Sequence, residues 1–265
     1  MNDDAEALVR TDQGARLVER PVFILSAVRS GSTLLRCILD THSQIYAPHE
    51  LHLPSTRVEV PTWYAELALR TAGLVGEELD FLLWDRILHR LLEASKKSLI
   101  VEKTPLNSLS WRRLGKCWPQ ARNIFLLRNP AHIMKSALQA GPDPESEVIP
   151  IVLRMIDGVE EARRELPGIT VRYEDLIAEP VETTKAICVY LEVDWEPSML
   201  EYGRVDHGPF QPGIGDFGTA IRSGRLQPRP ERTTAEPVPD YLEDRCARWG
   251  YGRSSSSATE MQDAC

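Results

Sequence analysis

The sequence predicts an α/β fold: a single domain built on a parallel β-sheet flanked by helices. Two observations lead there. Short apolar runs of β composition alternate with segments of helical period along most of the chain, the sequence form of a parallel sheet with crossover helices. A length of 265 residues with 42% hydrophobic content is also enough to bury a full α/β core as one domain.

The elements follow in order. Val22 to Leu25 has the aliphatic and β-branched content of a buried parallel strand. Thr33 to Thr41 is helical, with Leu34, Leu35, Ile38 and Leu39 on one face. Further strands are expected at Ser98–Val101, Asn123–Leu127 and Ile169–Arg172. Further helices are expected at Phe81–Ala94, Leu106–Cys117, Ala131–Gln139, Glu147–Leu166 and Val181–Leu191. Residues 1–16 and 253–265 have the polar composition of disordered or loosely attached tails, leaving 17–252 as the domain. Two irregular segments, Pro48–Pro61 and His207–Pro239, are rich in proline or glycine and are expected to cover a site carried by the sheet.

Between the first strand and its helix lie Arg29, Ser30, Gly31, Ser32 and Thr33. Gly31 lets backbone approach a ligand, the first N–H groups of the helix point outward, and Arg29 adds a fixed positive charge: together these make a phosphate cradle. An ordinary capped turn would use the same serines more modestly. A Walker-type loop would end in Gly-Lys-Ser/Thr, whereas here Arg29 precedes the glycine and no lysine follows it.

The stretch RSGSTLLRCILDTHSQIYAPHELHL, Arg29 to Leu53, resembles the 5′-phosphosulfate loop and following helix of sulfotransferases. The resemblance continues, in the family's order, through VEKTP (Val101–Pro105), NIFLLRNPAHIMKSAL (Asn123–Leu138) and VRYEDLIAEP (Val171–Pro180). A weaker echo follows at GIGDFGTAIRSGR (Gly213–Arg225). It implies a P-loop-like fold and use of 3′-phosphoadenosine 5′-phosphosulfate (PAPS) as co-substrate, with no metal expected.

That resemblance implies roles residue by residue. Arg29 to Thr33 would hold the 5′-phosphosulfate, and Arg29 would also act in catalysis. Arg128, at the end of a strand, and Ser136, eight positions later, would hold the 3′-phosphate. Their chemistry suits it, a charged fork followed by a hydroxyl one helical stretch on. Glu50 stands at the place of the catalytic base, with His49 and His52 as rivals, and Lys103 would meet charge on the bridging oxygen. Tyr173 would meet adenine or support its pocket. Arg222, Ser223 and Gly224 would complete the 3′-phosphate site with Arg225 beside them, Arg222 being the preferred contact. The segment ELHL, Glu50–Leu53, especially resembles bacterial natural-product-associated sulfotransferases, which implies a hydroxyl of a small-molecule secondary metabolite as acceptor. That acceptor could be free or bound to a carrier protein; carbohydrate and lipid hydroxyls stay open.

The acceptor pocket is expected to be apolar, with Leu51, Leu53, Trp63 and Tyr64 on one segment and Phe210, Ile214 and Phe217 on the other. A net charge of −8 argues against a nucleic-acid partner. Five scattered cysteines without metal spacing fit a reducing compartment. An acidic start and no stretch of about 20 apolar residues point to a cytoplasmic protein without a membrane partner, unlike the membrane-anchored tyrosylprotein sulfotransferases whose loop it otherwise resembles. Two other classes share the strand-loop-helix. A Mg²⁺-dependent small-molecule kinase should show the Lys-Ser/Thr ending and metal carboxylates. A non-catalytic nucleotide-binding protein would have no need of Glu50 and Lys103 together.

Overall fold

The computed structural model describes residues 16–74, 76–211, 215, 219–226 and 238–251. Most of both proposed tails, together with Ile214 and Phe217, therefore lies outside the described residues. Five parallel strands form one sheet: β1 (Val22–Leu25), β2 (Ile45–Tyr46), β3 (Leu99–Glu102), β4 (Arg122–Leu127) and β5 (Gly168–Arg172), in spatial order β2-β3-β1-β4-β5. The chain leaves β1 toward β3 and β2 on one side, then returns to β4 and β5 on the other. The ends of β1 and its neighbours thus bound the crevice in which open α/β sheets bind ligands.

Alternate side chains of β1 feed opposite layers, as the pleat requires. Val22 and Ile24 join Leu35 and Ile38 of helix α1 (Ser32–Asp40) and Ile187 of the later helix Pro180–Leu191. Phe23 and Leu25 pack with Phe81, Trp84 and Trp111 on the other face. A third cluster joins Leu127, Ile133, Ile156 and Trp249. Along the chain, α2 is Trp63–Thr71, α3 Glu78–Ser95, α4 Trp111–Cys117, α5 Pro130–Leu138, α6 Glu145–Glu165, α7 Tyr173–Ala178, α8 Pro180–Leu191, α9 Thr219–Arg222 and α10 Asp240–Arg248. Among the described residues, no helix is long and apolar enough to cross a membrane.

The expected strands are present within one residue at each end. The single helix expected over Leu106–Cys117 is instead a 3₁₀ turn, Pro105–Leu109, followed by α4. Asn107 donates to the buried Glu102 carboxylate and Ser108 Oγ to the Pro105 carbonyl at 2.8 Å, which holds the chain in the tighter turn. The side chains of Leu51 and Leu53 pack with the Phe81–Trp84 cluster, while Trp63 and Tyr64 stand 75% and 62% exposed on α2. None of these four lines the cavity at the end of β1 described below.

Candidate functional site

The loop from β1 to α1 turns sharply through two left-handed residues, Arg29 (φ 62°) and Gly31 (φ 86°). Among the described residues four non-glycine residues have positive φ. Lys96 and Glu192 do so as helix C-caps, a common way to end a helix. The other two, Arg29 and His52, flank the candidate site. A left-handed conformation costs each about 1–2 kcal/mol, the kind of strain that gathers at binding sites.

Gly31 precedes α1 without a side chain to cap it, so the first N–H groups of the helix have no partner within the helix. A Cβ at Gly31 would overlap the Tyr173 ring. On that same ring lies the Arg128 guanidinium, 4.6 Å from its centroid. Arg128 also donates to the Arg29 carbonyl at 2.6 Å, and Arg29 Nε donates to Ser136 Oγ at 3.2 Å. The expected two cradles are therefore one continuous surface: the arginine of each loop meets a partner belonging to the other.

Arg29, Gly31, Arg128 and Tyr173 border a cavity of about 290 Å³, whose wall also includes Ser32, Thr33, Glu50, Tyr202, Ile221 and Arg225, whereas Ser136 reaches it only through its bond from Arg29. Three arginines and an uncapped helix N-terminus thus line one space in a chain of net charge −8, which concentrates positive potential there. Ser30 is fully buried, and its Oγ has no hydrogen-bond partner among the described residues. An orphaned hydroxyl, the absent Cβ of Gly31 and the arginine fork all fit a phosphorylated nucleotide.

At the edge of the cavity Lys103, 0% exposed, forms an ion pair with Glu50 and donates to Thr33 Oγ1 at 3.3 Å. Burial pushes the ammonium pKa below its ordinary 10.5, and the Glu50 carboxylate offsets part of that shift. Glu50 Oε2 lies 3.5 Å from His52 Nε2. His49 packs instead on Gly208, where a Cβ would come 2.5 Å from its Nε2.

The C-terminal residues divide. Arg222 is exposed and donates to the Phe210 carbonyl at 3.0 Å, and Ser223 Oγ turns to the Arg225 carbonyl at 3.3 Å. Gly224 packs backbone to backbone against Gly203 and accepts its N–H at 3.2 Å. Arg225, rather than the preferred Arg222, reaches the cavity. Tyr202, whose hydroxyl donates to the Arg225 carbonyl at 3.1 Å, was not anticipated; no motif marks it, since it enters through a 3₁₀ turn far from the phosphate loop in sequence. A buried tie steadies this wall: His207 Nδ1 meets Asp40 Oδ2 of α1 at 2.7 Å, and its Nε2 meets the Tyr202 carbonyl at 2.9 Å.

A family model described as "Sulfotransferase family" matches residues 21–197. Among curated relatives, the chain is 21% identical over 214 residues to protein-tyrosine sulfotransferase A of Caenorhabditis elegans, covering 73% of this chain and 55% of that protein. It is 25% identical to protein-tyrosine sulfotransferase 1 of Danio rerio, covering 86% and 65%. It thus spans between half and two thirds of the length of these two relatives. Among solved structures, the sulfotransferase domain from the curacin biosynthetic pathway matches with a TM-score of 0.62 at 19% identity, covering 88% of this chain and 98% of that one. The sulfotransferase domain of the Synechococcus PCC 7002 olefin synthase matches with a TM-score of 0.62 at 22% identity, covering 89% and 97%.

Proposed function

Because the chain belongs to the sulfotransferase family, we propose that it moves the sulfuryl group of PAPS onto the hydroxyl of a small-molecule acceptor, releasing adenosine 3′,5′-bisphosphate. The observation that carries this reading is the buried Lys103 ammonium, held between Glu50 and Thr33 at the rim of an arginine-lined cavity. A carboxylate to take a proton and a cation to meet a leaving oxygen stand side by side.

In this reading the acceptor oxygen forms a bond to sulfur while the bond from sulfur to the bridging 5′-phosphate oxygen breaks. Glu50 takes the acceptor's proton. Lys103 turns from Glu50 toward the charge developing on the bridging oxygen, and Arg29 with the first N–H groups of α1 neutralises the phosphosulfate. Arg128, Ser136 and Arg225 hold the 3′-phosphate, with Tyr173 and Tyr202 beside the nucleoside. As in phosphoryl transfer, positioning and charge stabilisation carry most of the work.

An alcohol of natural-product type is the acceptor we favour. The near-complete cover of the curacin and olefin synthase domains, against partial cover of the tyrosine-specific relatives, supports it. The experiment is transfer of labelled sulfate from PAPS to a panel of 1-octanol, a 3-hydroxyacyl thioester, a tyrosine peptide and glucose. Transfer to the octanol or thioester, lost about 10²–10⁴-fold in Glu50→Gln as for a positioned general base, is the expected result. Preference for the tyrosine peptide or for glucose overturns the acceptor class, and full turnover in Glu50→Gln overturns the assignment of the base.

A further inference from the structure

The VEKTP segment holds two polar side chains that this chemistry leaves unused, Glu102 and Thr104. Glu102 ends β3, between β2 and β1, and is 0% exposed. Three donors converge on its carboxylate: Leu51 N–H at 3.2 Å and Thr104 Oγ1 at 2.6 Å on Oε1, and Asn107 Nδ2 on Oε2. Thr104 Oγ1 in turn accepts the His52 N–H at 3.2 Å. The chain of bonds therefore runs one way, from His52 N–H through the Thr104 hydroxyl to Glu102.

Both residues that follow Glu50 are thereby fastened to the end of β3, one directly and one through Thr104. Nothing regular holds Glu50 otherwise. It lies between the end of β2 at Tyr46 and the 3₁₀ turn that begins at Leu53, and the left-handed His52 (φ 50°) turns the chain just after it. Lys103 leaves the same strand end to meet Glu50. Burial pushes the Glu102 carboxyl above its ordinary 4.5, and hydrogen bonds from Thr104, Leu51 and Asn107 work against that shift.

We propose that Glu102 is a positioning residue for Glu50: a buried carboxylate that straps the backbone of the Glu50 loop to β3 and holds the Glu50 carboxylate in register with Lys103. The inference rests on the reading of Glu50 as proton acceptor. Small displacements of a catalytic group are costly, since about 1 Å is enough to lose roughly 10² in rate.

The test compares Glu102→Ala, Glu102→Gln, Thr104→Val and Glu50→Gln in the full chain. The readouts are amide hydrogen exchange at Leu51 and His52, affinity for adenosine 3′,5′-bisphosphate, and kcat and KM with PAPS and the most active alcohol of the panel above. In Glu102→Gln the new amide oxygen can stay on Leu51 and Thr104, and the amide N–H can go to Asn107 Oδ1, which has no partner among the described residues. Glu102→Ala is expected to speed exchange at Leu51 and His52 at least about tenfold and to lower kcat about 10²-fold, with nucleotide affinity and KM within about twofold. Glu102→Gln should return to within about fivefold of wild type on every readout, which a bare packing role would not predict. Thr104→Val, which keeps the core filled if Glu102→Ala does not fold, should expose the His52 amide more than the Leu51 amide and lower kcat severalfold. Unchanged exchange or unchanged kcat in Glu102→Ala and Thr104→Val overturns the proposal, as does a Glu102→Gln no better than alanine. Turnover retained in Glu50→Gln, or no active alcohol in the panel, overturns the reading beneath it, while the exchange data still report whether Glu102 straps the loop.

Discussion

Lys103 illustrates how one buried side chain sets a pH limit on the whole site. Its ammonium is desolvated, so its pKa lies below 10.5, and the charged form is the one that can meet a leaving oxygen. Turnover should therefore fall as pH rises, with an alkaline limb below 10.5 in the pH–rate profile; a limb at or above that value would deny Lys103 that role. Arg128 makes a second residue-scale prediction. Replacing it by alanine should weaken adenosine 3′,5′-bisphosphate by about 2–4 kcal/mol, the loss expected for a charge-assisted contact to a partly buried anion, and should scarcely affect ADP in calorimetry. At Gly31, alanine must adopt φ 86° and displace the Tyr173 ring. The cost should be at least about 1 kcal/mol of stability from the backbone alone, with nucleotide affinity falling further, read by thermal melting and titration.

At the scale of elements, the tie between α1 and the Tyr202 turn is the joint most open to test. A ring carrying both protons donates to Asp40 and to the Tyr202 carbonyl together. Burial pushes the Asp40 carboxyl up, but bonds from His207 and the Ala47 N–H, with Lys97 nearby, hold it below its ordinary 3.8. A carboxyl depressed in the folded state contributes stability above 3.8, lost as pH falls through its lower folded value. Stability measured by denaturant titration should therefore start to fall below about pH 4, and less steeply in Asp40→Asn. His207→Ala should cost about 1.5–3 kcal/mol for bonds to a charged group and weaken the nucleotide by loosening the wall that carries Arg225. The longer strands and five of the six expected helices were legible because apolar periodicity survives in them. β2 was not, since two residues carry no period, and α2 was not, since it buries none of its side chains. The break at Ser110 was hidden because it depends on Asn107 reaching Glu102, a contact that exists only once β3 is in place.

Over the whole molecule, the residues that chain order and charge could mark came together: Arg29, Arg128 and Tyr173 meet around Gly31, and Glu50 meets Lys103 although 53 positions separate them. In the C-terminal echo the sequence pointed to Arg222, whereas Arg225 lies on the cavity wall. Arg222 and Arg225 are chemically alike, and the close packing of Gly203 on Gly224, next to Arg225, is a contact that sequence alone does not mark. Arg29, Arg128 and Arg225 gather at one cavity of an acidic chain, an arrangement suited to holding a nucleotide by two separated phosphates. Calorimetric titration with adenosine 3′,5′-bisphosphate and with ADP, each with and without Mg²⁺, tests it most directly. The bisphosphate should bind at least about tenfold more tightly than ADP, a difference of ~1.4 kcal/mol, with Mg²⁺ changing neither affinity. Equal binding of the two nucleotides, or a requirement for Mg²⁺, would contradict it.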